Sequence, residues 1–235
     1  MNNPHPNPPP KGEGIKTIVI TGATGALGNL VAQTFAEHGH NIALLDRNQD
    51  KLDSLVNDLN LPTERLYAQT IDLLDKQAVH NSAEAVHSKF GSVHALFHLV
   101  GGWTGGKTIA ETPDDDLENM LNQHVRTAFN LFKSFSTHLA ASGWGRVLVI
   151  SPSTVTNPPG KSGVYAAAKA AQENLVLSFS AELKQTGVTA NIIQVRAIDV
   201  ENKGTGASPA EIVAAMTYLF SDEAGKINGA RIPLY

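Results

Sequence analysis

The chain has 235 residues, of which 42% are hydrophobic and 17% charged, so it is long enough to bury a sizeable core. Its formal net charge of −4 argues against the basic surface that binding to nucleic acid or to an anionic membrane requires. The absence of cysteine excludes disulfides, thiolate metal sites and a cysteine nucleophile.

The first residues of the chain differ in composition from the rest. Residues 1–14 include five prolines and lack the apolar segment of a secretory signal, and we expect them to form a disordered tail. No apolar run elsewhere approaches the ~18 residues that would indicate a membrane span. We therefore expect a cytoplasmic protein with a single folded domain over residues 15–235.

From Lys16 onward, short apolar segments alternate with longer segments of helical period. In chain order, the predicted strands are KTIVIT, NIALLD, RLYAQTI, VHALFHLV, RVLVIS, TANIIQV and ARIPLY. Helices are predicted between them, including a long one from Pro113 to about Ala141 and another from about Val164 to Gln185. This alternation predicts an α/β fold, with a Rossmann-like, doubly wound, seven-stranded parallel sheet and helices on both faces. Ligands of such sheets bind beyond the carboxyl ends of the strands.

A glycine-rich turn, VITGATGALG, joins the first strand to the first helix. Gly22 allows a tight turn, Gly25 removes a side chain where the backbone would approach a diphosphate, and Gly28 allows the helix to pack closely on the strand. The amides of Ala26 and Leu27, at the start of the helix, would face the phosphates. The strand–turn–helix context favours a dinucleotide site over a turn that binds nothing.

Two carboxylates follow the second and third strands. Asp46 could accept hydrogen bonds from the ribose hydroxyls of an adenosine and would repel a 2′-phosphate, which favours NAD over NADP as the cofactor. The neighbouring Arg47 could instead pair with that phosphate. Asp72, with Leu73 beside it, is placed to contact the adenine. Either carboxylate could also cap a turn or a helix.

A tyrosine and a lysine, Tyr165 and Lys169, lie four residues apart near the start of a predicted helix and therefore share one face. An ammonium group beside a phenol favours the phenolate and lowers the pKa of the tyrosine from about 10. Such a tyrosine can give a proton to a carbonyl oxygen as hydride arrives, or take one from an alcohol. The spacing alone is common, but here it follows the fifth strand of a dinucleotide-binding sheet.

Four segments together resemble the short-chain dehydrogenase/reductase superfamily over about residues 15–235: TGATGALG, the aspartate after the second strand, HLVGG after the fourth strand and YAAAK after the fifth. The resemblance implies an NAD(H)-dependent oxidoreductase that acts on a carbonyl or an alcohol. It implies that Tyr165 is the acid/base catalyst and that Lys169 binds the nicotinamide ribose, while Val100, Gly101 and Gly102 line the cofactor. It also implies a homodimer or homotetramer.

Two positions depart from the family pattern. Pro152 replaces the family's serine, thirteen residues before the tyrosine, which leaves Ser153, Ser151 or no serine to hold the substrate oxygen; of these we select Ser153. Proline fixes φ and lacks an amide donor, so it could end the strand early and change the register of both serines. His124 replaces an asparagine that holds a relay water in the family, and it either joins a relay or packs locally.

The segment after the sixth strand, VRAIDVENKGTGASPAEI, is much shorter than the family's substrate lid, which is here reduced to about residues 200–208. The nicotinamide pocket is therefore predicted to be open, with Ile198 in contact with the nicotinamide through its backbone. Poor exclusion of water would weaken the electrostatics of the site. Trp103, in GGWTGGKT, could stack on a flat substrate or cover its own loop.

Three functions are compatible with these residues. The first is a carbonyl/alcohol oxidoreductase with a small-molecule substrate. The second is an enzyme similar to the dihydropteridine reductases, which have a stretch like GGWTGG and lack the usual serine and asparagine. The third is a dinucleotide-binding sensor or assembly protein with weak catalysis. No metal site is predicted, because His94 and His98 lie in a strand whose four-residue span of about 13 Å is too long for one ion.

Overall fold

The computed structural model describes residues 14–235, and the predicted tail lies outside this range except for Gly14. The strands of the described residues are β1 Thr17–Thr21, β2 Asn41–Asp46, β3 Leu66–Thr70, β4 Ala95–His98, β5 Gly145–Pro152, β6 Val188–Val195 and β7 Arg231–Leu234. They form one sheet in the order β3-β2-β1-β4-β5-β6-β7, and every neighbouring pair is parallel. The predicted seven-stranded parallel sheet is confirmed.

The helices connect successive strands and begin at polar or small residues. They are α1 Ala26–Glu37, α2 Gln49–Leu59, α3 Lys76–Phe90, α4 Asp114–Met120, α5 Thr127–Ala141, α6 Gly163–Glu182 and α7 Pro209–Phe220. The Asn48 side chain accepts a hydrogen bond from the Lys51 amide at the start of α2, and Asp75 does the same for two amides of α3. Such caps satisfy N–H groups that have no partner within the helix.

Helices cover both faces of the sheet because successive side chains of a strand point to opposite sides. Ile18 and Ile20 of β1 pack into a core formed with α1, α2 and α7. Val19, between them, packs into a second core formed with α3, α5 and α6. Burial on both faces explains why the strands are nearly continuous apolar runs in the sequence.

The predicted long helix over residues 113–141 forms as α4 and α5, joined by one π-helical turn at Leu121–Arg126. At the end of this turn, the hydroxyl of Thr127, the first residue of α5, donates a hydrogen bond to the Gln123 carbonyl at 2.7 Å. A π-helical turn carries one more residue than an α-helical turn and is often found at functional sites. In this protein it contains His124, whose side chain is fully buried.

The strand order determines where a ligand-binding crevice opens at the edge of the sheet. β1 lies between β2 and β4, so the chain extends the sheet first toward β3 and then, from β4 onward, toward the opposite edge. The connections that leave the carboxyl ends of β1 and β4 therefore diverge, and a crevice opens between them. In doubly wound sheets this is the usual ligand-binding position.

Candidate active site

The glycine turn after β1 is shaped by two close approaches of the backbone. Gly22 has a φ of +70°, and a Cβ at this position would lie 2.9 Å from the Leu99 carbonyl carbon. A Cβ on Gly28 would lie 2.3 Å from the Gly22 carbonyl oxygen. Gly25 is exposed, and its Cβ would approach only that same oxygen, at 3.4 Å. Gly22 and Gly28 are therefore required for the path of the chain, whereas Gly25 leaves the start of α1 uncovered.

A cavity of about 690 Å³ lies beside this turn, above the ends of β2 and β3. The Asp46 carboxylate accepts hydrogen bonds from the Thr24 amide at 3.0 Å and from the Asn48 amide at 3.1 Å. Asp72 accepts one from the Leu74 amide at 2.9 Å. The predicted cofactor residues that line this cavity are Gly22, Gly25, Asp46, Arg47, Asp72, Leu73, Val100 and Gly101. Both carboxylates thus organise their turns and also face the cavity.

A second cavity of about 440 Å³ adjoins the first and shares Gly22, Gly25 and Val100 with it. The predicted site residues that line it are Gly22, Gly25, Ala26, Leu27, Gly28, Val100, Gly101, Gly102, Tyr165, Lys169 and Ile198. Every residue proposed from the sequence for cofactor binding or catalysis lines one of the two cavities, except Ser153 and the possible relay residue His124. The glycine turn and the tyrosine–lysine pair therefore face the same space.

Lys169 is buried, and its ammonium group donates hydrogen bonds to the Ile150 carbonyl and to the Gln172 side-chain oxygen, both at 2.9 Å. Burial lowers the pKa of Lys169 from 10.5 to about 7, although the charge of Glu173 acts to raise it. Burial also raises the pKa of the Tyr165 phenol above its ordinary value of 10. This direction is opposite to the lowering expected from the sequence, because removing a phenol from water penalises its anion.

His124 packs against the tyrosine from the π-helical turn. Its ring lies edge-on to the Tyr165 ring, with 5.6 Å between the centroids. Nε2 lies 3.0 Å from the Gly102 carbonyl oxygen, which can only accept, so Nε2 carries the proton. Burial, followed by the nearby Lys169 charge, lowers the pKa of His124 to about 3. The imidazole is therefore neutral at physiological pH, and it holds the loop after β4 against the helix.

A second buried histidine, His98 at the end of β4, was considered in the sequence only as a metal ligand. It lines the smaller cavity, with Nδ1 2.7 Å from the Thr21 hydroxyl and Nε2 3.4 Å from the Thr127 hydroxyl. Burial lowers the pKa of His98 to about 3, so this ring is also neutral. In the sequence, its position at the end of a predicted central strand, as the first residue of HLVGG, indicated that it could belong to this site.

The serines around Pro152 occupy different surroundings. β5 continues through Pro152, which pairs with Val195 of β6, so the proline does not end the strand early. Ser151 is buried and lines the smaller cavity, and its hydroxyl has no hydrogen-bond partner among the described residues. Ser153, predicted as the catalytic serine, begins a short 3₁₀ turn and lines neither cavity.

A compact loop fills the short interval between β6 and α7. The buried Asp199 carboxylate accepts hydrogen bonds from the amides of Lys203, Gly204 and Thr205, at 3.0, 2.6 and 3.1 Å. These backbone donors hold the pKa of Asp199 below its ordinary value. The hydrogen bonds to the Asp199 carboxylate hold the loop in a tight turn, and the chain reaches α7 without forming another helix.

The rim of the smaller cavity is apolar and accessible to solvent. Trp103 is 64% exposed, Ile198 40% and Val200 55%, and all three line that cavity. The indole packs closely against Gly105, where a Cβ would come within 2.6 Å of the ring. The exposed indole is therefore held in place by its own loop.

Strand order and the glycine turn beside the paired cavities define a Rossmann-like, doubly wound α/β fold, whose usual ligand site is the crevice at the switch point. A family model described as short chain dehydrogenase matches residues 16–208. The chain belongs to the short-chain dehydrogenase/reductase family of oxidoreductases.

Individual relatives agree with this assignment. The chain is 27% identical over 238 residues to meso-2,3-butanediol dehydrogenase of Serratia marcescens, covering 93% of this chain and 92% of that protein. It resembles an NADPH-bound short chain oxidoreductase of Pseudomonas aeruginosa PAO1 with an atypical catalytic center, at 22% identity and a TM-score of 0.85 over 93% of this chain and 95% of that one. It also resembles an NADH complex of 3-ketoacyl-(acyl-carrier-protein) reductase from Brucella melitensis, at 19% identity and a TM-score of 0.84 over 93% and 96% of the two chains. The two structures support the fold alone.

Residues 14–235 contain neither a metal-binding cluster nor a membrane-spanning helix. No three histidine, aspartate or glutamate side chains within this range come together in a way that could hold a metal ion. None of the helices described there is long and apolar enough to span a membrane.

Proposed function

We propose that the protein transfers hydride between NAD(H) and a carbonyl or alcohol substrate, with Tyr165 as the acid/base catalyst and Lys169 in support. The observation that carries the proposal is that Tyr165 and Lys169 line the same cavity as the glycine turn at the start of α1. The turn suits a dinucleotide, because Gly25 leaves the first amides of α1 uncovered and the two cavities join along it. When bound there, nicotinamide would supply or accept the hydride.

Tyr165 is suited to give up a proton in the reductive direction. Because burial raises the pKa of its phenol, the hydroxyl is protonated at neutral pH and can donate to a substrate oxygen as negative charge develops there. The Lys169 ammonium, one helical turn further along α6, would stabilise the phenolate that remains. Since the pKa of Lys169 is about 7, we expect carbonyl reduction to fall as the pH rises above that value. The apparent pKa values in such a profile belong to the tyrosine–lysine pair.

The preference for NAD over NADP rests on Asp46. Each of its carboxylate oxygens accepts one backbone amide, which leaves lone pairs free for the hydroxyls of a ribose. The negative charge would repel a 2′-phosphate at the same place. Arg47 and Lys51 also line this cavity and oppose that effect.

For the hydroxyl that would hold the substrate oxygen, the structure favours Ser151 over the predicted Ser153. Ser151 lines the smaller cavity and has an unpartnered, buried hydroxyl, whereas Ser153 does not line it. A buried hydroxyl without a partner is costly and suits a group that bonds to a ligand. Pro152, also in the cavity wall, offers no such donor.

A second candidate reaction is the reduction of a flat quinonoid substrate, as in the dihydropteridine reductases. The apolar rim of Trp103, Ile198 and Val200 favours it, because an exposed indole can stack on a conjugated ring. A quinonoid ring accepts hydride readily and requires less polarisation of its oxygen, which fits the proline at position 152. A panel of quinones and quinonoid pterins compared with simple ketones separates the two reactions.

The central test is the Tyr165→Phe variant. We expect it to lower kcat by about 10²- to 10⁴-fold, the usual contribution of a general acid, while the Kd for NADH stays within about twofold. Full activity in this variant would refute the role of Tyr165. Tight NADH binding by the wild type without turnover on either substrate panel would instead support a dinucleotide-binding sensor or assembly protein.

We also propose that the protein forms a homodimer or homotetramer. Leu117, Leu121 and Phe129, on α4, the π-helical turn and α5, are 41%, 38% and 51% exposed, and a second copy could cover them. A monomer in light scattering would contradict this proposal.

A further inference from the structure

One buried side chain connects the proposed catalytic lysine to the π-helical turn. Gln172 lies three residues after Lys169 on α6 and is fully buried. Its side-chain oxygen accepts a hydrogen bond from the Lys169 ammonium at 2.9 Å, and its side-chain nitrogen donates one to the His124 carbonyl at 3.0 Å. The amide therefore links α6, which carries Tyr165 and Lys169, to the π-helical turn, whose His124 packs against Tyr165.

The orientation of this amide follows from its partners. An ammonium group can only donate and a carbonyl oxygen can only accept, so the amide oxygen must face Lys169 and the nitrogen must face His124. The ammonium has three protons, of which one goes to Gln172 and one to the Ile150 carbonyl. The third remains available on the side of the cavity that Lys169 lines.

Among the charged and titratable groups around Lys169, the charge of Glu173 acts to stabilise the ammonium, whereas burial acts against it. Glu173 is the acidic neighbour, but its carboxylate already accepts hydrogen bonds from Arg231 at 2.6 Å and from Gln194 at 3.1 Å. His98 and His124 face the lysine from β4 and from the π-helical turn, and their pKa values of about 3 keep both rings neutral.

Tyr165 precedes Lys169 on the same helix, and burial keeps its phenol in the uncharged form at neutral pH. The ammonium is thus stabilised by the charge of Glu173 and by hydrogen bonds to two neutral oxygen acceptors, one of which is the Gln172 side chain.

We propose that Gln172 is a positioning residue that fixes the Lys169 ammonium against the π-helical turn and keeps it in its charged form. A hydrogen bond to the charged form of a group favours that form, and it does so more strongly where water is excluded. The functional importance of this position rests on the proposed role of Tyr165 and Lys169. The bridge, by which we mean the two hydrogen bonds of the Gln172 amide to Lys169 and to the His124 carbonyl, does not depend on that role. Its effect on the pKa of Lys169 can be tested without measuring turnover.

The test compares two substitutions that act in opposite directions on Lys169. Gln172→Met keeps the length of the side chain but removes the acceptor, so the pKa of Lys169 should fall by about one to two units, the effect of one charge-assisted hydrogen bond. Gln172→Glu places a carboxylate beside the ammonium, so the pKa of Lys169 should rise. The matched control is Gln185→Met, at an exposed position, and it should leave the pKa of Lys169 unchanged.

The pKa of Lys169 is read by NMR titration of protein labelled with ¹³Cε-lysine, with the signal assigned by its absence in Lys169→Met. Thermal unfolding identifies any variant that fails to fold, and the other variant then decides the result. Opposite shifts support the proposal, because a loss of packing alone would not produce them. A titration midpoint within about 0.3 units of wild type in a folded Gln172 variant would overturn it. If the shifts occur while Tyr165→Phe retains full activity, the proposed function fails and the bridge stands.

Discussion

Replacing Lys169 with methionine should change the way in which stability depends on pH. In the unfolded chain the amine keeps its proton up to a pKa of about 10.5, whereas in the folded protein burial lowers the pKa to about 7. Between these two values the unfolded state binds more protons than the folded state, so the free energy of unfolding of the wild type should rise with pH. Below pH 7 both states are protonated, and the cost of burying the charge is present in full.

The size of the effect follows from the same two values. One proton of difference changes the free energy of unfolding by about 1.4 kcal/mol per pH unit. Integrated from pH 7 to pH 9.5, the wild type should gain about 3 kcal/mol relative to Lys169→Met. The methionine also leaves the Ile150 carbonyl and Gln172 without a donor, but that loss does not depend on pH over this range.

The assay is urea unfolding of both proteins at one protein concentration, at intervals from pH 7 to pH 9.5. Only the difference between the two proteins is used, because other titrating groups then largely cancel. His98 and His124, whose pKa values of about 3 contain a contribution from Lys169, titrate below this range. Lys133→Met, an exposed position on α5, is the matched control and should follow the wild type. A difference that stays constant across the range would refute the argument that Lys169 is buried with a lowered pKa.

Two further predictions concern the cofactor and the substrate oxygen. Asp46→Asn keeps an acceptor for one backbone amide but removes the negative charge. It should therefore shift the ratio of kcat/KM for NADH to kcat/KM for NADPH about tenfold toward NADPH, equivalent to about 1.4 kcal/mol. An unchanged ratio in steady-state assays would assign the cofactor preference to Arg47 or to other residues. Ser151→Ala should lower kcat/KM for carbonyl reduction by about 10- to 100-fold, equivalent to one lost hydrogen bond to a developing charge, while Ser153→Ala stays within about twofold. The reverse result would restore Ser153 as the catalytic serine, and no effect in either variant would mean that neither serine takes part.

Features encoded by short stretches of chain could be predicted from the sequence. The alternation of apolar strands with amphipathic segments predicted the seven-stranded parallel sheet, because both faces of such a sheet are buried and each strand must be apolar throughout. The glycine turn was recognisable because Gly22 and Gly28 meet steric demands that no other residue satisfies. The cofactor and catalytic roles of the residues that line the cavities remain predictions.

Features that depend on packing between distant segments were less accessible. The sequence suggested that the Lys169 charge would lower the pKa of Tyr165, but the direction is set by burial, which arises only when α6 packs onto the sheet. The choice between Ser151 and Ser153 turned on whether Pro152 interrupts β5, and pairing with β6 holds that strand together through the proline. The sequence predicts ordinary helix at the π-helical turn, because the apolar pattern is helical on both sides of it.

The sequence by itself determined the order and type of the elements, the glycine turn, and the placement of Tyr165 and Lys169 on one face of a helix. These depend on local backbone geometry and on a spacing of four residues. Only the tertiary structure decided that Gln172 bridges Lys169 to the His124 carbonyl across 48 residues of chain, that His98 belongs to the cavity, and which groups lose their charge. The physical reason is that burial and hydrogen-bond partners, which set protonation and position, come from elements that meet only when the sheet is assembled.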